Sequence, residues 1–316
     1  MKIIIPGGTG QVGTVLARAF QKDGHDVTVL SRHAVKLPWR VVEWDGRSPG
    51  SWTSEIDGAD VVINLAGRSV NCRYNESNRR QMMDSRLDST KVVGEAIAVA
   101  KDPPKVWLQA STATVYAHRF DAPNDDVTGT IGGHEPDAPD TWNFSIDVAT
   151  EWERVANEAA TPNTRKVLMR SAMIMSPDRG GIFDTMLMLV RLGLGGTAAD
   201  GRQYISWIHD QDFIRSVYWL IEHEELSGPI NLSSPNPLPN KEFMRVVREA
   251  WGMPIGLPAA KWMLELGAVL MQSETELILK SRRVVPRLLA ESGFEFEFPD
   301  WEAAARDLVS RRQKLD

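Results

Sequence analysis

The chain has 316 residues, of which 42% are hydrophobic and 25% charged, and its formal net charge is −6. This length suits one large domain, or a large domain plus a small one, of a soluble globular protein. The acidic balance argues against a nucleic-acid partner, which would need a basic face. The single cysteine, Cys72, excludes an internal disulfide and a cysteine-based zinc site.

The first third of the chain alternates short apolar runs with helical patterns. Strands are predicted at Lys2–Ile5, Asp26–Leu30, Arg40–Trp44, Asp60–Leu65 and Lys105–Ala110. Helices are predicted at Gln11–Lys22 and Glu76–Ala100. Apolar strands separated by helices are typical of a parallel sheet that helices cover on both faces. The sequence therefore predicts an α/β fold with a doubly wound parallel sheet.

The rest of the chain is less regular and becomes helical towards its end. We expect a loop at Phe120–Pro139, a helix at Thr141–Ala160 and a buried strand at Arg165–Met175. Further helices are predicted at Ala259–Met271, Glu274–Lys280, Val284–Ser292 and Trp301–Arg312. We therefore expect a large domain at 1–235, whose residues after about 170 contribute to a substrate cleft, and a small helical domain at 254–312.

A glycine-rich turn joins the first strand to the first helix. Its glycines have G-x-x-G-x-x-G spacing, and the missing side chains let the backbone approach a pyrophosphate at the helix N-terminus. The alternative is a tight turn without function, but a strand–turn–helix context followed by a second strand favours a Rossmann-type dinucleotide site. The turn residues expected to contact the cofactor are Gly7, Thr9, Gly10, Gln11, Val12 and Gly13.

The end of the second strand indicates which dinucleotide is preferred. A site for NAD usually has Asp or Glu there to bind the ribose 2′-hydroxyl, whereas this chain has Ser31-Arg32. Arg32 could pair with a 2′-phosphate through a charge-assisted bond, and Ser31 could donate a further hydrogen bond. A solvated arginine is the alternative. The missing acid favours NADP(H).

The fourth strand ends in Asn64-Leu65-Ala66-Gly67, at the edge of the sheet where ligands of open α/β folds bind, and Leu65 and Ala66 are the candidate contacts. Small residues there would let the adenosine part of a cofactor pack closely. A plain strand-to-loop turn is the alternative.

Taken together, these motifs resemble the short-chain dehydrogenase/reductase superfamily, and more closely its atypical, extended-type branch of NAD(P)-dependent epimerase-family proteins. Gly-Phe-Glu-Phe-Glu-Phe-Pro (293–299) resembles the small C-terminal domain of unknown function of that branch. The resemblance implies NADP(H) binding through the glycine turn, Ser31, Arg32, Leu65 and Ala66, with Arg86 reaching the cofactor or its surroundings. The other segments that resemble the branch are 62–67, 84–90, 191–196, 201–212 and 240–243.

The catalytic motif of the superfamily, Tyr-x-x-x-Lys on one helix, is absent. None of the four tyrosines has a lysine four residues later, and Phe144 and Val148 stand where the motif aligns. Neither side chain can transfer a proton. Ser111 or Thr112 could hydrogen-bond a substrate oxygen, and Tyr116 could act as a displaced acid or simply pack in its loop. A tyrosine without a neighbouring cation has a pKa near 10 and is a poor base.

Two functions remain open at this level. The first is an NADP-dependent oxidoreductase or epimerase that acts on an unknown small molecule. The second is a non-catalytic NADP(H)-binding protein with a regulatory or assembly role, which the missing Tyr/Lys pair favours. Whether the chain is an enzyme is therefore left open.

The same features limit the partners and the location that we expect for the protein. We expect a small-molecule substrate, no metal site, no membrane and no nucleic acid, and we allow for a homodimer. No targeting segment and no run of about 18 apolar residues occur, so the expected location is the cytoplasm.

Overall fold

A computed structural model describes residues 1–133, 135–136, 138–270 and 272–315. Two positions of the predicted loop, His134 and Asp137, lie outside this range, and so do Met271, at the end of a predicted helix, and Asp316. The strands are β1 (Lys2–Pro6), β2 (Asp26–Ser31), β3 (Arg40–Glu43), β4 (Val61–Asn64), β5 (Val106–Thr112), β6 (Arg165–Ser171), β7 (Met173–Met175), β8 (Tyr204–Ile205), β9 (Trp207–His209), β10 (Gly228–Leu232) and β11 (Leu238–Pro239).

Helices connect these strands and close the chain. They are α1 (Gln11–Lys22), α2 (Thr53–Ile56), α3 (Glu76–Val99), α4 (Asp140–Glu158), α5 (Ile182–Arg191), α6 (Asp210–Glu222), α7 (Asn240–Trp251), α8 (Lys261–Leu270), α9 (Glu276–Leu279), α10 (Arg287–Glu291) and α11 (Trp301–Gln313). A short 3₁₀ turn, Ala113–Val115, follows β5.

The main sheet of the described residues has seven parallel strands in the order β10-β6-β5-β4-β1-β2-β3. Consecutive isoleucines of β1 face opposite sides: Ile3 and Ile5 join the core that includes residues of α1 and α6, whereas Ile4 joins the core that includes residues of α3. Burying each of these side chains stabilises the fold by about 1.5–3 kcal/mol. The doubly wound parallel sheet predicted from the sequence is confirmed.

The predicted single strand Arg165–Met175 is wrong in one respect, since it is broken at Ala172. The Ala172 amide still bonds to Leu232 O of β10, but the Met173 amide turns away and donates to Ser206 O. Residues Met173–Met175 therefore pair with β9 in a separate two-stranded sheet. The chain leaves the main sheet at this point and begins to build the region beyond its carboxyl edge.

The C-terminal helices are anchored to the rest of the protein by aromatic stacking. Trp301 of α11 is fully buried, stacks on Phe243 of α7 at 4.0 Å between ring centroids and lies 4.8 Å from Trp207 of β9. Between α9 and α10, Val284 is buried against residues that follow β5. The expected domain boundaries, 1–235 and 254–312, remain a prediction.

Candidate functional site

The glycine turn brings the end of β1 against the end of β4. Gly7 has a positive φ of 75°, and a Cβ on it would lie 2.6 Å from Cα of Ala66. Glycine is therefore required here on two grounds, backbone conformation and close approach. The Gly7 amide donates to Leu30 O, which also ties the turn to the end of β2.

Helix α1 begins directly on this turn. A Cβ on Gly13 would lie 2.4 Å from Cα of Gly8, so the helix packs against the turn through its bare backbone. Gly10 is the N-cap and provides no side-chain cap, and the first turn of α1 has no acidic residue. The first amides of α1 are left for an external acceptor, which is the arrangement that binds phosphate at helix N-termini.

The turn lies at the point where the strand order of the sheet reverses. β1 pairs with β2 on one side and with β4 on the other, and ligands of open α/β sheets bind in the crevice at such a point. Asn64 fixes the β4 side of this crevice because its side chain donates to Gln109 Oε1 at 2.9 Å and accepts from the Ala66 amide at 3.1 Å. Leu65 and Ala66 are thereby held beside Gly7.

A buried donor without a partner lies beside the turn. Gln11 Nε2 is buried and has no hydrogen-bond partner among the described residues. A Cβ on Gly181, just before α5, would fall 1.9 Å from this nitrogen, so the loop before α5 covers it closely. An unsatisfied buried donor costs about 1–3 kcal/mol, a cost that a pyrophosphate oxygen would remove. The neighbouring Thr9 is exposed and Val12 is half-buried.

The end of β2 places a basic residue at the rim of the crevice. Ser31 is buried, and its hydroxyl accepts from the His33 amide at 3.3 Å. Arg32 is exposed and makes no ion pair with any residue that the structure describes. Its charge is therefore available to a ligand.

Arg86 on α3 is a second unpaired cation, and it is buried. Its Nη1 donates to Met82 O at 2.9 Å, and its guanidinium lies 5.0 Å from the ring centroid of Trp152. No carboxylate pairs with it within the described part of the chain. Burial lowers the pKa of Arg86 to about 10, so it still carries its charge at neutral pH. A buried guanidinium without a counter-ion favours the binding of an anion beside it.

A cavity of about 270 Å³ opens beside Arg86, between α3, α4, the end of β5 and the segment around α9. Ser111 and Thr112 form part of its wall, and so do Phe144 and Val148, which share one face of α4. The residues aligned with the catalytic Tyr/Lys pair therefore do line a cavity, but they are apolar. The remaining lining residues are Val70, Tyr74, Met82, Arg86, Thr114, Ser145, Trp152, Glu276, Leu277 and Arg282.

The two hydroxyls at the end of β5 differ in what they can offer a substrate. Ser111 donates its hydrogen to Glu153 Oε1 at 2.5 Å, and Glu153 is in turn held by Arg170 at 2.7 and 2.8 Å. Thr112 accepts from the Thr114 amide at 3.2 Å, so its own hydrogen is free. Of the two predicted candidates, Thr112 is the one able to donate to a substrate oxygen.

The structure does not bring Tyr116 to the cavity. Its ring is buried, its hydroxyl donates to Asn231 Oδ1 at 2.9 Å, and it accepts from Arg170 Nη1 at 3.0 Å. Burial raises the pKa of Tyr116, although the nearby Arg170 opposes that shift. Of the two alternatives considered for this residue, the arrangement favours packing over acid catalysis.

Substituting Tyr116→Phe is therefore expected to affect stability rather than cofactor binding. It leaves Asn231 Oδ1 and one Arg170 donor without their partner, which should lower the free energy of unfolding by about 1–3 kcal/mol. Urea denaturation and NADPH titration of the same preparation would measure both quantities. Loss of turnover at unchanged stability would instead restore the catalytic role.

Sequence reasoning missed a group of polar side chains that also line the cavity. Ser145 Oγ donates to Glu276 Oε2 at 2.5 Å, and Glu276 Oε1 pairs with Arg282 at 3.1 Å. Tyr74 lies beside Ser145 and Glu276. The only available signal is Glu276 directly before the apolar residues Leu277-Ile278-Leu279, and the sequence predicts no more for it than a position in a helix.

The sheet, its crevice and the glycine turn define a nucleotide-binding α/β protein of the short-chain dehydrogenase/reductase type. Residues 3–233 match the NAD dependent epimerase/dehydratase family, and residues 259–308 match a domain of unknown function, DUF1731. An epimerase family protein of Staphylococcus epidermidis is 32% identical over 308 residues, covering 98% of this chain and 99% of the relative. The chain belongs to the NAD dependent epimerase/dehydratase family, which confirms the resemblance seen in its motifs.

Solved structures agree with this assignment. The human epimerase family protein SDR39U1 (isoform 2), crystallised with NADPH, superposes with a TM-score of 0.85 at 28% identity, covering 98% of this chain and 99% of the human one. The UDP-N-acetylglucosamine 4-epimerase of Bacillus cereus superposes with a TM-score of 0.75 at 16% identity over 99% of both chains. At that identity the second match supports the fold alone.

The described residues contain no candidate for a membrane span and none for a metal site. None of their helices is long and apolar enough to cross a bilayer, and no group of three or more of their His, Cys, Asp and Glu side chains could hold a metal ion.

Proposed function

We propose that the chain binds NADP(H) and uses it as an oxidoreductase or epimerase on a small molecule. One observation supports this most directly: the first amides of α1, which begins on the glycine turn, have no cap, and Gln11 Nε2 is buried beside them without a partner. A cofactor pyrophosphate would supply the acceptors that these donors lack. The related human protein was crystallised with NADPH.

The preference for NADP(H) rests on the end of β2. Arg32 is exposed and without an ion pair in the described structure, and no carboxylate follows β2 to bind a ribose 2′-hydroxyl. A guanidinium binds a 2′-phosphate through bidentate charge-assisted bonds. Arg86, which is buried and unpaired, would hold a further anionic group of the same cofactor.

The residues of the chain would orient the reactants. When bound, the nicotinamide supplies or accepts a hydride. Thr112 would hold the substrate oxygen through its free hydroxyl hydrogen, and Phe144, Val148 and Trp152 would keep water away from the reacting carbon. Glu153 fixes Ser111, so that the end of β5 stays rigid beneath the cavity.

A non-catalytic NADP(H)-binding protein is the second candidate. It is favoured by Phe144 and Val148, because the superfamily's usual phenol and ammonium are replaced by groups without protons to transfer. Such a protein would change its interaction with a partner when the cofactor binds, and it would not catalyse a reaction.

Calorimetry with NADPH and NADH, followed by NADPH oxidation in the presence of a library of aldehydes and ketones, separates these candidates. Tight NADPH binding with turnover supports the enzyme. Equally tight binding without hydride transfer to any compound favours the second candidate. Absence of binding to either nucleotide contradicts both.

A further inference from the structure

Tyr74, Ser145 and Glu276 are neighbouring polar side chains that line the cavity, and we call them the Tyr74 row. Its members come from three separate parts of the chain: the segment before α3, the helix α4 and the helix α9. All three side chains line the cavity, and Tyr74 is the only phenol among its lining residues in the described structure.

The phenol of Tyr74 is held firmly in place. Its residue is 7% exposed, and its ring packs edge-on against Phe144 at 5.5 Å between centroids. The backbone amide of Tyr74 donates to Glu274 Oε1 at 2.7 Å, and its carbonyl accepts from Arg79 Nε at 2.8 Å. Little freedom remains except rotation of the hydroxyl itself.

The polar end of the row is equally fixed. Glu276 is almost fully buried, and Arg282 holds one of its oxygens while Ser145 donates to the other. The Ser145 hydrogen is committed to Glu276, and the Ser145 hydroxyl is close enough to Tyr74 to affect the pKa of its phenol. The Ser145 hydrogen is therefore used within the row, whereas the Tyr74 hydroxyl donates to no acceptor among the described residues.

We propose that Tyr74 is the catalytic proton donor of this protein, in place of the missing Tyr-x-x-x-Lys pair, and that the cavity takes an uncharged carbonyl compound with an apolar body. This inference rests on the proposed NADP(H)-dependent function. Apolar walls from Phe144, Val148, Trp152 and Leu277 suit the body of such a substrate. The carbonyl oxygen would accept from Tyr74 on one side and from Thr112 on the other.

The step is a balanced reduction. The hydride of NADPH brings its electron pair to the carbonyl carbon and forms the new C–H bond. The π electrons of the C=O bond move to oxygen, the O–H bond of Tyr74 breaks, and its proton forms the hydroxyl of the product alcohol. Water returns a proton to the phenolate, and Ser145 offers a route for it. The aldehyde or ketone is reduced, and NADPH is oxidised to NADP⁺.

The charges around Tyr74 keep its phenol protonated, so that it has a proton to give, although they do not make it a stronger acid. Burial and the negative charge of Glu276 raise the pKa of Tyr74 to about 12, against smaller opposing effects of Ser145 and Arg282. Cys72 and Arg86 are the other titratable groups that interact electrostatically with the Tyr74 phenol. The neutral form needed for carbonyl reduction is thus present throughout the neutral range, and the phenolate needed for alcohol oxidation is scarce. Tyr74 should contribute no inflection to the rate of reduction between pH 6 and 9.

The test compares the wild-type protein with Tyr74→Phe and a matched control, Tyr218→Phe. Tyr218 lies on α6, outside the cavity lining, and donates to Asp23. NADPH affinity should be the same in all three proteins. With NADPH and benzaldehyde, together with an aldehyde and ketone panel, Tyr74→Phe should lower kcat by about 100-fold or more, whereas Tyr218→Phe should leave it unchanged. Rates within threefold of the wild type in Tyr74→Phe would overturn the proposal.

A second readout does not depend on turnover. Benzamide has a carbonyl that accepts a hydrogen bond but is not reduced, and its binding to the NADPH complex can be followed by NADPH fluorescence. Tyr74→Phe should weaken it about 10-fold, with no change in the control. Equal binding in all three proteins, or no binding to the wild-type complex, would overturn the role of Tyr74 and leave the NADPH affinity intact. Failure to bind NADPH at all would instead remove the proposed function.

Discussion

Replacing Glu153 by alanine is expected to lower the free energy of unfolding by about 3–5 kcal/mol, because it leaves the Arg170 guanidinium buried without its counter-ion. The side chains of the pair are only 10% and 11% exposed, and the contacts are bidentate. Burial alone would lower the pKa of Arg170, but the Glu153 carboxylate outweighs burial and raises it. The variant loses that increase, but a guanidinium has an ordinary pKa above about 12 and stays protonated even when buried, so the cation persists and has to be accommodated without its counter-ion.

Urea denaturation measures this loss, and the same helix offers a matched control. Glu151 is also a glutamate of α4, and it pairs with Arg154 on the surface. Glu151→Ala should change stability by less than about 1 kcal/mol, since exposed pairs contribute little. The double substitution Glu153→Leu with Arg170→Met removes both charges and should recover most of the loss. A loss below about 1 kcal/mol in Glu153→Ala alone would mean that the pair is solvated.

The Glu153 variant also bears on the site. Ser111 donates to this carboxylate, so its removal frees the Ser111 hydrogen as a second donor towards the cavity. Stability and substrate affinity should consequently change in opposite ways if a carbonyl compound is bound there.

The first third of the chain was predictable from sequence because its signals are local. Helix α1 was predicted with the observed bounds, Gln11–Lys22, and the strand ends of β1 to β5 differ from the prediction by one or two residues. Apolar runs and a glycine turn report their own environment directly. The break at Ala172 left no such signal, since what diverts the Met173 amide is Ser206, more than thirty residues later.

Only some of the residues that line the cavity could be predicted from the sequence. Ser111 and Thr112 follow a predicted strand, and α4 was found by its periodicity, so Phe144 and Val148 could be placed by alignment. Tyr74 and Glu276 could not be joined, because they are separated by about 200 residues and the contacts between their segments, such as Tyr74 with Glu274, arise from tertiary packing. The criterion applied to the tyrosines, a lysine four residues later, also excluded Tyr74 for a reason unrelated to its surroundings.

The two unpaired arginines divide the proposed cofactor site into a discriminating part and a common part. Arg86 is buried beside the cavity, where it would meet a group shared by NADP(H) and NAD(H). Arg32 lies at the end of β2, where only a 2′-phosphate distinguishes the two cofactors. Substituting Arg32 should therefore change the preference between NADPH and NADH, whereas substituting Arg86 should weaken the binding of both cofactors.

Arg32→Glu is expected to weaken NADPH binding by about 100-fold, because it removes charge-assisted bonds and adds a repulsive carboxylate. NADH has no 2′-phosphate, and its 2′-hydroxyl can donate to the new glutamate. Its affinity should therefore change by less than about threefold, and the preference should shift towards NADH. Calorimetric titration of both nucleotides gives the two dissociation constants.

Arg40→Glu is the matched control for this experiment, since it makes the same charge change at the amino end of the neighbouring strand, away from the carboxyl ends where the cofactor is expected. Arg40 begins β3 and forms an exposed pair with Glu55 at 2.6 Å. It should leave both affinities unchanged, which separates a local contact from a general effect of net charge. Equal losses of NADPH and NADH affinity in Arg32→Glu would show that Arg32 does not read the 2′-phosphate. In that case the fold and the glycine turn would still favour a dinucleotide, but its identity would have to be decided by residues other than those at the end of β2.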